Sequence, residues 1–173
     1  TDASICSGQT TSIGITNPNA VTSTTFTWSV QSATNVTGAT AGSGNLIAQT
    51  LTSTDGVNSG TVTYLILPAA AGCVGTPYAV NITVKPIPNV AASPQSICSG
   101  ANTSVAITNP NGVAGTSFSW IVFSSSNVSG AAAGSGTTIS QALTTTDGIT
   151  SGTVTYRITP TANGCSGNFL DVV

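Results

Sequence analysis

An offset of 92 residues lays this chain on itself without a gap. Ser4-Ile5-Cys6-Ser7-Gly8 returns as Ser96-Ile97-Cys98-Ser99-Gly100, and Ile15-Thr16-Asn17-Pro18-Asn19 as Ile107-Thr108-Asn109-Pro110-Asn111. Phe26-Thr27-Trp28 falls on Phe118-Ser119-Trp120, Gly42-Ser43-Gly44 on Gly134-Ser135-Gly136, and Thr54-Asp55-Gly56 on Thr146-Asp147-Gly148. Gly60-Thr61-Val62-Thr63-Tyr64 falls on Gly152-Thr153-Val154-Thr155-Tyr156, and Gly72-Cys73 on Gly164-Cys165. One uninterrupted offset means a tandem duplication, so the chain must fold as two copies of one domain rather than as one large one. The boundaries expected are 1–86 and 87–173. Lys85-Pro86-Ile87-Pro88-Asn89-Val90 joins them, and two prolines spaced by one residue favour an extended, semi-rigid connector. Copy one begins partway into its first strand and copy two stops partway through its last. The expectation is therefore a window on a longer string, each copy having neighbouring repeats of the same polypeptide as its partners.

Within a copy the apolar residues alternate with period two, as half-buried strands require. Ile13 and Ile15 form one set, Phe26, Trp28 and Val30 the next, then Ile47, Gln49 and Leu51, then Val62, Tyr64 and Ile66, then Val80, Ile82 and Val84. The second copy repeats the pattern with Val105/Ile107, Phe118/Trp120/Val122, Ile139/Gln141/Leu143 and Val154/Tyr156/Ile158. Intervening positions are mostly Thr and Ser, which suit a pleated, wetted face. Asn17-Pro18, Asp55-Gly56 and Gly72 mark turns. No helical period survives a window of eleven residues. A Trp on an early-middle strand and a Tyr on a late one fit an immunoglobulin-like β-sandwich of about seven strands per copy.

Four cysteines fall two per copy, at Cys6, Cys73, Cys98 and Cys165. With no Cys-x-x-Cys and no histidine, zinc and redox motifs are disfavoured. The simplest pairing is Cys6–Cys73 and Cys98–Cys165, each closing a loop worth about 4 kcal/mol of denatured-state entropy. It would place the protein in an oxidising, extracytoplasmic compartment. One difficulty stands against it: in a standard sandwich these two segments lie at opposite ends. A cross-domain Cys73–Cys98 bond is the alternative, with Cys6 and Cys165 then seeking partners in neighbouring repeats.

Composition narrows the chemistry. Only 3% of residues are charged, against roughly a quarter in an ordinary globular chain, so a basic footprint for nucleic acid or anionic lipid is missing. No apolar run approaches the roughly 20 residues of a membrane span. Histidine and glutamate are absent and the acids are Asp2, Asp55, Asp147 and Asp171; general acid–base catalysis therefore has few candidates, and neither a catalytic set nor a cofactor site is expected. Asp55 and Asp147 are weak calcium candidates. Calcium commonly takes several carboxylates, and Asp-Gly is already a good turn. The sequons at Asn35, Asn81, Asn102 and Asn127 are of the kind that arise by chance in a Ser/Thr-rich chain. A carbohydrate platform would need Tyr78, Phe123 and Phe169, but Phe123 aligns with Gln31 and Phe169 with Pro77, so no platform repeats. So little charge leaves sheet edges undefended against lateral pairing. Lateral self-association, and contact with polysaccharide or solid surfaces, are the external partnerships such a surface suits.

The motif string Ser-Ile-Cys-Ser-Gly, Ile-Thr-Asn-Pro-Asn, Phe-Thr-Trp, Gly-Ser-Gly, Ile-x-Gln-x-Leu, Gly-Thr-Val-Thr-Tyr and Gly-Cys resembles the PKD-like repeats of giant Bacteroidetes cell-surface adhesins, including the SprB-type gliding-motility adhesins exported by the type IX system. The resemblance covers both copies almost entirely. It implies an extracellular, cell-surface filament or adhesin stalk and brings no catalytic residues with it. A carbohydrate-binding accessory module and a surface-layer or pilus-like subunit are the competing readings.

Overall fold

Alternating β-branched and aromatic residues can bury one face of a strand only against a second sheet. The chain does this twice. The computed structural model describes residues 2–173 and contains strands and turns but no helix among them. It divides into two units, Thr1–Pro86 and Ile87–Val173. Each is an immunoglobulin-like β-sandwich.

In the first unit the larger sheet runs in the order Ala3–Cys6, Tyr78–Lys85, Gly60–Ala70, Thr25–Thr34, Gly42–Ser43, with Cys73–Val74 folding back on the far end of Gly60–Ala70. Ala3–Cys6 pairs with Ile82–Lys85 in parallel, whereas the other pairings are antiparallel. The second layer is made of short segments, Gln9–Thr10 with Thr50–Ser53 and Val36–Thr37, and Ile13–Gly14 with Leu46–Ile47. Between them Phe26, Trp28, Val62, Tyr64, Ile66, Val80, Ile82 and Val84 meet Ile13, Val36, Ile47 and Leu51. All of these except Val36 are residues that the period-two alternation picks out.

The second unit repeats the plan. Thr153–Ala162 lies between Ser117–Ser126 and Leu170–Val172, with Gly134–Ser135 outside Ser117–Ser126 and Cys165–Ser166 folding back on Thr153–Ala162. Its core is built on Phe118, Trp120, Ile139, Tyr156 and Ile158. Both copies carry a bulge in the Trp strand, between Val30 and Ser32 and between Val122 and Ser124. The repeated Gly-Ser-Gly also has a packing cause. A Cβ on Gly42 would stand 2.5 Å from the Trp28 ring, and one on Gly134 would stand 2.6 Å from Trp120. Glycine is what lets the indole lie flat on the neighbouring strand.

Candidate functional site

The cysteines do not pair within their repeats. Cys6 and Cys165 are disulfide-bonded, while Cys73 and Cys98 carry free thiols. This corrects the expected pairs Cys6–Cys73 and Cys98–Cys165, and also the alternative Cys73–Cys98. For Cys6–Cys73 the physical reason is the parallel first strand of the first repeat. It sets Cys6 opposite Lys85, beside the Gly60 end of the eleven-residue strand Gly60–Ala70. Cys73 is opposite Ala70, at the other end of that strand. At about 3.3 Å per residue the two ends lie roughly 30 Å apart, and a disulfide needs its Cα atoms within about 7 Å. The difficulty visible in the sequence was decisive.

Asp55 and Asp147 are placed in matching loops as acceptors for their own backbone. Asp55 Oδ1 accepts from the Val57 and Asn58 N–H groups (2.9 Å each), and Oδ2 from Asn58 Nδ2 (3.0 Å). Asp147 Oδ1 accepts from the Ile149 and Thr150 N–H groups (3.0 and 3.1 Å) and from Asn127 Nδ2 (3.0 Å), and Oδ2 accepts from the Thr150 hydroxyl. Asn35 anchors its loop from outside, with Nδ2 donating to the Asn58 carbonyl and Oδ1 accepting from Thr54 Oγ1 and the Asp55 N–H. Asn127 does the same for the second loop, and both asparagines hold positive φ at 55° and 54°. The asparagine and the aspartate thus form one turn, and Asn35 and Asn127 have a structural reason to be asparagine. Among the described residues no group of three or more His, Cys, Asp or Glu lies close enough to hold a metal ion.

These hydrogen bonds hold both carboxyls well below the usual carboxylate range. For Asp55 the Asn58 side chain contributes most, and for Asp147 the Thr150 hydroxyl. Asp171 is lowered too, first by its hydrogen bond from Arg157. A carboxyl whose folded pKa is depressed stabilises the fold above its unfolded value, and that contribution is lost as pH falls towards the folded one. With no histidine or glutamate, no other side chain has an ordinary pKa between pH 5 and 7. Thermal midpoints are therefore expected to be flat from pH 7 to pH 5 and to fall below about pH 4. The Asp55→Asn/Asp147→Asn double variant should show a shallower acid fall. An acid limb unchanged in that variant would show that these loops do not set it.

A surface cluster in the second repeat escaped the sequence reading. Arg157 makes a two-pronged ion pair with Asp171, Nε to Oδ1 at 2.8 Å and Nη2 to Oδ2 at 2.7 Å. Its guanidinium carbon also lies 3.7 Å from the centroid of Phe123 and 3.9 Å from that of Phe169. The bulge after Val122 brings Phe123 there. Both rings stack on a cation, so the aromatic candidates in this repeat are engaged with Arg157. Tyr78, exposed in the first repeat, is not among them. The available signal was joint replacement: Arg157, Asp171, Phe123 and Phe169 stand where the first copy has Leu65, Ala79, Gln31 and Pro77.

A comparison with curated proteins found no match. The family model for the PKD-like domain matches twice, over residues 3–88 and 95–173. The family is one of structural, adhesion-type extracellular domains, which agrees with a disulfide-bearing sandwich. With nearly the whole chain covered by the two matches, this protein belongs to the PKD-like domain family.

Proposed function

We propose that the chain is a non-catalytic structural segment of a long secreted cell-surface filament or adhesin stalk, of the kind that mediates surface attachment or gliding. The observation that carries this reading is the gapless succession of two PKD-like sandwiches, joined through a short proline-bearing connector. The nearly uncharged, hydroxyl-rich surface supports it, because attachment through such a surface would depend little on ionic strength. Pulling the chain by its two ends in a single-molecule experiment under reducing conditions, which open the disulfide of Cys6 and Cys165 so that tension passes through both repeats, tests the proposal. One resolved unfolding event per repeat is expected, together with bead adhesion that is unchanged across a salt series. Saturable, competable binding of one glycan on an array, or extension without resolved events, would overturn the stalk reading.

A further inference from the structure

The first repeat carries an open cavity of about 900 Å³ at the end of the sandwich where Tyr78–Lys85 begins. Its wall includes Ile15, Asn19, Val21, Pro68, Cys73 and Gly75. The matching end of the second repeat is covered by that unit's own leading residues. The Asn89 N–H donates to Asn111 Oδ1 (2.9 Å), and Asn111 Nδ2 donates to the Ile87 carbonyl (2.9 Å). Ala91 and Thr108 exchange backbone hydrogen bonds at 2.9 and 3.0 Å. Pro88 is fully buried, and its carbonyl lies so close to Gly167 that a Cβ there would stand 1.9 Å away.

The offset of 92 turns each of these holding groups into a residue of the open cavity: Asn111 into Asn19, Thr108 into Thr16 and Gly167 into Gly75. The three atoms nearest a Cβ on Gly75 would all belong to Pro68, the first at 3.0 Å. Val113 is 2% exposed and its counterpart Val21 48%. Cys165 is 1% exposed and disulfide-bonded, whereas its counterpart Cys73 is exposed and free. The recognition groups are the same; only their occupation differs.

We propose that this cavity is a socket for the connector of another copy of the repeat, which seats an Ile87-Pro88-Asn89 segment on Asn19 and Gly75 and then closes a disulfide onto Cys73. The inference rests on the stalk reading. The incoming cysteine is identified by the first unit's own geometry. Cys6 lies opposite Lys85, and the Ser7 N–H donates to the Lys85 carbonyl (2.7 Å), so a copy that offers this connector carries its own Cys6 beside the connector's start. Bond formation joins the two sulfurs with loss of both thiol protons to solvent. The two electrons, with two protons taken up from solvent, reduce the disulfide of a thiol–disulfide oxidant to a dithiol.

The test is a three-repeat chain in which residues 1–92 are appended ahead of Thr1, which preserves the offset. Amide exchange in segments 15–24 and 73–78 of the original first repeat is expected to slow about tenfold or more, approaching that of 107–116 and 165–170. Cys73 should lose its reaction with iodoacetamide under denaturing, non-reducing conditions, and peptide mapping should recover it linked to the appended copy's Cys6. A second chain, with Ile87→Gly and Pro88→Gly in the appended copy and Asn19→Ala in the repeat that receives it, should lose the slowing. Full alkylation of Cys73 with unchanged exchange would overturn the proposal, as would protection that persists in the second chain. Glycan binding would strike at the stalk reading and leave this docking result as it stands, so the two failures are distinguishable.

Discussion

Replacing Gly38 by alanine is expected to cost the first repeat about 3 kcal/mol, a fall in its thermal midpoint of roughly 12–24 °C. Two effects add. Gly38 holds φ at +95°, where a side chain is strained, and its Cβ would stand 2.1 Å from the Thr50 carbonyl oxygen and 3.2 Å from the Thr50 carbonyl carbon. That neighbour is backbone of the facing strand and cannot swing aside as a side chain would. Gly130 repeats the situation in the second copy, with φ at +92° and the Ala142 carbonyl oxygen at 2.1 Å. Gly8 is the control. Its φ is +83° with nothing within 4 Å, so Gly8→Ala should cost only the conformational part, about 1 kcal/mol. Amide exchange resolved by repeat would assign each loss to its own domain. Equal midpoints for the Gly8 and Gly38 variants would show that the close approach to Thr50 is not what glycine serves.

Gln49→Ala is expected to destabilise the first repeat by about 2 kcal/mol, although Gln49 itself is half-buried. The buried Tyr64 hydroxyl donates to Gln49 Oε1 at 2.7 Å, and that oxygen also accepts from the Thr40 N–H at 2.8 Å. Gln49 Nε2 returns a bond to the Thr40 carbonyl at 2.7 Å. Behind it, the buried Thr11 hydroxyl donates to the Ile47 carbonyl and accepts from the Gln49 N–H. Truncating the glutamine leaves a phenol hydroxyl in the core without an acceptor, whereas water can reach Thr40. Tyr64→Phe removes the donor instead and should cost about 1 kcal/mol. The double variant should fall short of the sum, because a phenylalanine has nothing left unpaired; a double-mutant cycle on urea midpoints measures that difference. Strict additivity would mean that Gln49 acts through Thr40 alone. Gln141 and Tyr156, paired at 2.6 Å, offer the same cycle in the second repeat.

How much of this was legible beforehand varied with the kind of signal. Alternation located the core, because burial of one strand face leaves a period-two trace that Trp28, Tyr64 and Ile82 all obey. Gln49 broke the apolar pattern at a core-facing position, yet its partners Tyr64 and Thr40 are 15 and 9 residues away, so only the fold could show why a glutamine stands there. The cysteines misled for a topological reason. Equal spacing in two copies suggests pairing within a copy, but the direction of the first strand decides which end Cys6 reaches, and parallel pairing leaves no trace in residue spacing. The Arg157 cluster was hidden because four scattered single differences become one feature only when the bulge and the sheet bring them together.

That parallel first strand also decides how the first repeat bears load. Ala3–Cys6 and Tyr78–Lys85 lie side by side and run the same way, so once the disulfide at Cys6 is reduced, tension on the chain enters at one end of the sandwich and leaves at the other. The two strands are then drawn past each other along their length, and the hydrogen bonds between them are stressed together in shear. In a hairpin pulled from its open end they would instead unzip singly. Forced unfolding is governed by the rate of the first rupture, and a geometry that loads several bonds at once makes that rupture slow.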